Sequence, residues 1–238
     1  MIERNKIFII GNGFDLAHNF RTRFSDFANY YLEEKIIPAL ISCIKNRVDE
    51  HPMFKSTFIG PLSKKYNNSF EKTPVEIIWF IGQEEDRNAM KKYIVENDSV
   101  LGLILNNTLL ARLYTGKDKN WFDIENIYFK ELIPLKELAI KKPKTFKSIN
   151  LRQLNKDFSE IKLEVINYLK TIEIDINEKI ETFLISYLKD VDFAYFINFN
   201  YTTSVRRYIT NSDKFLVNHI HGTLEENNII FGYGNDQN

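Results

Sequence analysis

Net charge is missing from this sequence: 32 Lys and Arg stand against 32 Asp and Glu. No general field therefore draws the chain to nucleic acid or to an anionic membrane, and nucleic acid is not an expected partner. A second cysteine is missing too. Cys43 stands alone, which excludes an internal disulfide and fits a reducing compartment. No apolar run is long enough to span a bilayer. The N-terminus passes from charged residues straight into a strand-like run, unlike a signal peptide. These absences predict a cytoplasmic chain without a membrane partner. What is present is an apolar fraction of 44% over 238 residues. That suffices for a real core, in one large domain or a core domain with an insertion.

The apolar pattern changes character along the chain. Ile7, Phe8, Ile9 and Ile10 end at Gly11 and read as a buried strand. Phe24, Phe27 and Tyr31 fall at helical spacing behind Ser25, a candidate N-cap, and Pro38 predicts an interruption. The stretch VEIIWFIG (75–82) fits helix or strand equally. LGLILNNTLLARLY (101–114) and KNWFDIENIYFKEL (119–132) read as helices, and KKPKTFK (141–147) as a solvated linker. Leu151, Leu154, Phe158, Ile161, Val165 and Leu169 predict a long amphipathic helix; Ile176, Ile180, Phe183, Tyr187 and Leu188 predict a second. Three further strand-like runs follow: FAYFINFN (193–200), FLVNHIHG (215–222) and NIIFGYG (228–234). Runs apolar on both faces suggest parallel strands covered by helices on both sides. The expected fold class is α/β, a Rossmann-like and mainly parallel sheet with a large helical insertion. Residues 1–37 and 190–238 would form the core, and 38–189 the insertion or cap.

Three polar clusters sit at the predicted strand ends, where ligands of open α/β sheets bind. In the first, Gly11-Asn12-Gly13-Phe14-Asp15, a G-x-G after a strand allows a tight turn with backbone open to phosphate. The third glycine of the full dinucleotide fingerprint is absent, since Leu16 stands there. Asp15 fits a helix-start carboxylate and is an unusual neighbour for a phosphate. In the second cluster, Asn198 and Asn200 share a strand face with Ala194 and Phe196. Asn200 is either a ligand-facing residue or a cap for a helix opening near Thr202–Ser204. In the third, His219 and His221 lie two apart on one face. A His-x-His pair can bind zinc but needs further ligands, for which Asp15 and His18 are the available candidates. Trp121, Asp123 and Glu125 form a fourth group within a predicted helix, where the two acids point in different directions.

Taken in order, IIGNGFDLAHNFRTRFSDF, NWFDIENIYF, FINFNYT, HIHG and IIFGYGND resemble the signature segments of the AbiH family of bacteriophage abortive-infection proteins. AbiH proteins in turn resemble sirtuin-like NAD-binding domains. That resemblance matches Gly11 and Gly13 with a glycine turn, Asn200 with a strand-end asparagine, and His221-Gly222 with the His-Gly that supplies a base. Thr202 stands where those domains often carry an aspartate. The chain ends soon after FGYGND, where such sheets continue with a further strand, so it resembles a C-terminally truncated member.

The resemblance implies an antiphage protein that binds, and as an NAD glycohydrolase cleaves, NAD or a related nucleotide without a metal. Cleavage of the nicotinamide–ribose bond passes through a cationic sugar. His221 would serve as general base, Asn200 would orient the ribose or water, and Asp15 would oppose the sugar's charge. Gly11, Asn12, Gly13, Phe14, Thr202 and Gly222 would line the nucleotide site. Two other readings stay open: a metal-dependent hydrolase or nuclease using the His-x-His pair, and a non-catalytic module that senses a phage-derived trigger and acts through a partner. A homo-oligomer is compatible with each.

Overall fold

The computed structural model describes residues 4–46, 48, 50–56, 87–97, 99–115, 121–143, 148–173, 175–209 and 213–231. The ambiguous 75–82 stretch, the linker beyond residue 143 and residues 232–234 of the last strand-like run lie outside them. By packing, the chain divides into two compact units, Met1–Arg23 with Lys162–Asn238, and Phe24–Ile161.

The first unit holds the sheet. Strands β1 (Asn5–Ile10), β2 (Phe193–Asn198) and β3 (Phe215–His219) lie in the order β1-β2-β3. Both pairings are parallel, so the fold is α/β of the Rossmann-like kind, and β1 and β2 are joined through the long helical part of the chain. The register sets Ile10 beside Asn198 and Asn198 beside His219. The carboxyl ends of all three strands therefore lie in one row.

One face of this sheet is a core. Side chains alternate across a strand, and the inward set of β2 is Ala194, Phe196 and Asn198, all fully buried. Ile10, Val191 and Val205 pack with them, joined by Phe8, Phe14, Leu188, Ile209, Phe215 and Val217. The rings of Phe8 and Phe196 stack at 4.8 Å. Burying a side chain such as Phe196 contributes about 1.5–3 kcal/mol. The other face departs from the expectation of two-sided cover. Ile7 is 70% exposed, Ile9 73% and Leu216 53%. A continuous apolar run reports β-branched and aromatic content; it does not by itself report a layer on each side.

Helix α1 (Asn12–Ala17) follows β1 directly. The stretches Phe24–Tyr31 (α2) and Ile37–Lys45 (α3) follow in the second unit. Between them, Leu32–Ile36 widens into a π-helical turn. Pro38 was expected to interrupt the helix here. The widened turn upstream instead relieves the clash of a proline ring with the preceding turn, and helical backbone continues through Pro38. Phe27, Leu32, Ile36, Ile37 and Leu40 share the buried side. Arg87–Glu96 (α4), Ser99–Ile104 (α5), Thr108–Thr115 (α6) and Trp121–Lys141 (α7) are the next described helices of this unit. The single helix read over 101–114 is thus two. Asn107 breaks it and caps the second part, accepting from Leu110 N–H at 2.9 Å. Buried Asp157 accepts from the Thr108 N–H and hydroxyl, both at 2.9 Å.

The predicted amphipathic helix is Ser148–Leu169 (α8), whose residues from Lys162 onward belong to the first unit. Glu178–Leu188 (α9) follows, capped by Asn177 through Lys179 N–H at 3.1 Å and Ile180 N–H at 3.4 Å. The end of α8 and all of α9 thus fall with the strands, whereas the sequence reading placed 38–189 in the insertion. Tyr168 donates to the Arg21 carbonyl at 2.7 Å, Lys170 to Asn227 Oδ1 at 2.5 Å, and Leu188 packs under the sheet. Those contacts tie this segment to the strand unit. Among the described residues no helix is long and apolar enough to cross a membrane.

Candidate functional site

The row Ile10, Asn198, His219 is the base from which three loops rise. The ladder runs one step past each strand: Phe199 N–H donates to the Ile10 carbonyl at 2.8 Å, and Ile220 N–H to the Asn198 carbonyl at 2.9 Å. Adjacent strands lie about 5 Å apart, so the first and third loops start about 10 Å apart. A dinucleotide spans more than that.

In the first loop Gly11 has extended backbone, φ −124° and ψ −176°. Its carbonyl accepts from Phe14 N–H at 2.8 Å and from Asn200 Nδ2 at 3.1 Å. Neither Gly11 nor Gly13 has a positive φ, and a Cβ built on either meets nothing within 4 Å. Among the described residues, neither backbone strain nor a protein neighbour accounts for these two glycines. The side chains beside them are engaged in the fold. Asn12 Oδ1 accepts from the Thr22 hydroxyl at 2.6 Å. The Phe14 ring packs into the sheet core, 4.7 Å from the His18 ring and 5.9 Å from Tyr208.

Asp15 points inward from α1 and is 1% exposed. Its Oδ2 accepts from the Thr202 hydroxyl at 2.7 Å and its Oδ1 from the Ser204 hydroxyl at 2.6 Å. Burial pushes its pKa up, while the hydrogen bonds from Ser204, Thr202 and Asn200 pull it down. The carboxylate thus fastens α1 to the segment after β2 and is closed off from solvent. Beneath it lies a second fastener. His18 Nδ1–H donates to the Phe14 carbonyl at 2.7 Å, so in the neutral ring Nε2 accepts from the Tyr208 hydroxyl, which in turn accepts from Asn177 N–H at 2.7 Å.

In the second loop Asn200 is buried and its side chain reaches back to Gly11. The alternative of a helix cap is not realised. The 3-10 turn Ser204–Tyr208 has Thr203 at its N-cap, with no side-chain capping bond. Thr202, 2% exposed, is spent on Asp15.

In the third loop His221 Nδ1 lies 3.1 Å from the Ile230 carbonyl. A carbonyl only accepts, so Nδ1 carries a proton, and in the neutral ring Nε2 has the lone pair that a general base requires. The ring lies 5.8 Å from Phe199 and 6.0 Å from Tyr201. Gly222 has φ +71°, and a Cβ there would come within 2.4 Å of the Asn228 carbonyl oxygen. This glycine is required by the turn itself.

The structure therefore places Gly11, Asn200, His221 and Gly222 on loops that rise from one strand-end row, and Gly13 in the first turn of α1 beside them. It places Asp15, Thr202 and the Phe14 side chain beneath that surface. Asn198, Ser204 and Tyr208 are further polar residues of this end of the sheet that the sequence reading did not assign to the site. The signal for Asn198 was its place on the same strand face as Ala194 and Phe196, where a polar residue must find partners. Among the described residues no group of three or more His, Cys, Asp or Glu is gathered as a metal site would be. Trp121, Asp123 and Glu125 lie in α7, and their side chains are outside the described part.

Parallel strands with polar loops at their carboxyl ends define the class: an α/β protein with a strand-end candidate site. The chain belongs to the AbiH family, since the model described as bacteriophage abortive infection AbiH matches residues 7–238. Its role is accordingly in abortive infection by bacteriophage. Among curated proteins nothing matches the chain, and among solved structures nothing matches either.

Proposed function

We propose that this abortive-infection protein binds NAD or a related nucleotide at the carboxyl ends of β1–β3 and hydrolyses its nicotinamide–ribose bond. The observation that carries the reading is the open pair Gly11 and Gly13, whose missing side chains nothing in the described fold accounts for. An external group approaching the backbone closely, such as a diphosphate, gives those glycines a reason. The resemblance of the glycine turn, Asn200 and His221-Gly222 to sirtuin-like domains supports the choice of NAD.

In this reaction nicotinamide leaves with the bonding electron pair, and the ribose becomes oxocarbenium-like. Water attacks the anomeric carbon and gives its proton to His221 Nε2; the products are nicotinamide, ADP-ribose and a proton. A positioned base of this kind contributes about 10²- to 10⁴-fold in rate. Asn200, held by Gly11, orients the sugar or the water. Asp15 is buried, so it acts through Thr202 and Ser204 as a positioning residue and does not touch the sugar. The test is incubation of the full chain with NAD, with chromatography for nicotinamide. Release by the wild type and its loss in His221→Ala are expected; intact NAD with an activated wild type would defeat the proposal.

A further inference from the structure

We infer that Asn198 and His219 belong to the working site: Asn198 holds His219 with its ring proton on Nε2, and that N–H serves an oxygen acceptor of the bound nucleotide, a ribose hydroxyl. This rests on the nucleotide reading above and names two residues that reading does not use.

The argument is one of hydrogen-bond logic. Asn198 is fully buried. Its Oδ1 accepts from Asn200 N–H at 2.9 Å, which fixes the orientation of the amide. One Nδ2 proton goes to the Thr202 carbonyl at 3.2 Å, and the other faces His219 Nδ1, also at 3.2 Å. An amide nitrogen donates and does not accept, so Nδ1 must be the acceptor. A neutral imidazole then carries its proton on Nε2, and a cationic one would set two donors against each other. Burial lowers the pKa of this ring, and the charge of Arg206 lowers it further, against weaker opposite pulls from the Asn200 carbonyl, Glu225 and Glu226.

Nε2 is buried and has no hydrogen-bond partner among the described residues. The Asn200 carbonyl lies near enough to raise the ring's pKa, yet it stands outside hydrogen-bond geometry for Nε2. Buried donors in native folds are nearly always paired, and an orphan points to an absent acceptor. The orphan's place gives that acceptor an identity. His219 ends β3 in the strand-end row, in register with Asn198 of β2 and two residues before His221. His221 holds the opposite tautomer. One fixed donor and one fixed acceptor at a strand end match a hydroxyl, which both accepts and donates. Because Nε2 is covered, its contact with the hydroxyl requires the flanking 199–201 or 220–222 segment to move aside locally.

The test is NMR of the full chain with 15N-labelled histidine and backbone amides, with ADP-ribose as the probe. The expected result is an Nε2–H tautomer for His219 whose signals shift with ADP-ribose, alongside the Gly11 and Gly13 amides. Asn198→Asp keeps the acceptor at Oδ1 but replaces the donor, so the His219 proton should move to Nδ1 in a chain that remains folded. His219→Gln, which can offer a donor near the same place, should hold ADP-ribose affinity within about threefold, whereas His219→Leu should lose about tenfold. An Nδ1–H tautomer in the wild type overturns the inference whatever the ligand does. Shifted glycine amides beside unmoved His219 signals overturn it while the nucleotide reading stands. Silence of both overturns the two together.

Discussion

Substituting Gly13 with alanine separates a glycine the fold needs from one a ligand needs. Gly13 lies in α1 without positive φ, and the added Cβ would meet nothing within 4 Å. Alanine loses less backbone freedom on folding than glycine, which in a helix is worth about 0.5–1 kcal/mol. Gly13→Ala should therefore raise stability by about 0.5 kcal/mol, read as a higher urea midpoint at unchanged slope. The same methyl stands where the diphosphate would approach. ADP-ribose affinity by calorimetry should then fall at least tenfold, a loss of about 1.4 kcal/mol. The two signs are opposite, and a merely structural glycine cannot produce both. A destabilised variant would refute the geometric part of the reasoning. A stable variant that binds ADP-ribose as the wild type does would refute the functional part.

Gly222→Ala should behave in the contrary way. Its φ of +71° and the Asn228 oxygen at 2.4 Å from the new Cβ predict a loss of about 2 kcal/mol or more in urea unfolding. Tyr208→Phe removes the hydroxyl that joins His18 Nε2 to Asn177 N–H and takes that partner from both atoms, for a loss of about 1–3 kcal/mol in the same assay. The raised pKa of Asp15 means that the native state holds its proton more tightly than the unfolded chain. Its contribution to stability is thus full below the ordinary value of 3.8 and is lost as pH rises through the folded value. Urea titrations of wild type and Asp15→Asn across that window should show this slope in the wild type only. His219 has the opposite sign: its folded pKa lies below 6.5, so its contribution is present above 6.5 and is lost as pH falls through the folded value. His219→Gln should flatten that part of the curve.

The strands and the long helices were legible because their apolar periods are local. Ile7 to Ile10, FAYFIN and FLVNH carry β-branched and aromatic residues in short runs, and all three became parallel strands. The glycine turn, Asn200 and His221 were recognisable as polar breaks at strand ends. What stayed hidden was pairing over distance. Nothing near Asp15 in sequence announces that Thr202 and Ser204 will close over it. Asn198 and Asn200 read alike as strand-end asparagines, yet one is the hub that holds Asn200 N–H, Thr202 and His219. The exposed face of the sheet at Ile7, Ile9 and Leu216 was equally invisible, since a strand's own composition does not count the layers around it. The break at Asn107 was missed because two asparagines inside an apolar helical pattern fit a helix until capping partners such as Asp157 are known.

The most direct measurement is NAD in phage-infected cells that express either the wild-type chain or His221→Ala. The account predicts that NAD falls and nicotinamide and ADP-ribose rise with the wild type, and that the variant leaves NAD intact and fails to protect. Protection by the wild type with NAD unchanged, or undiminished protection by His221→Ala, would contradict it.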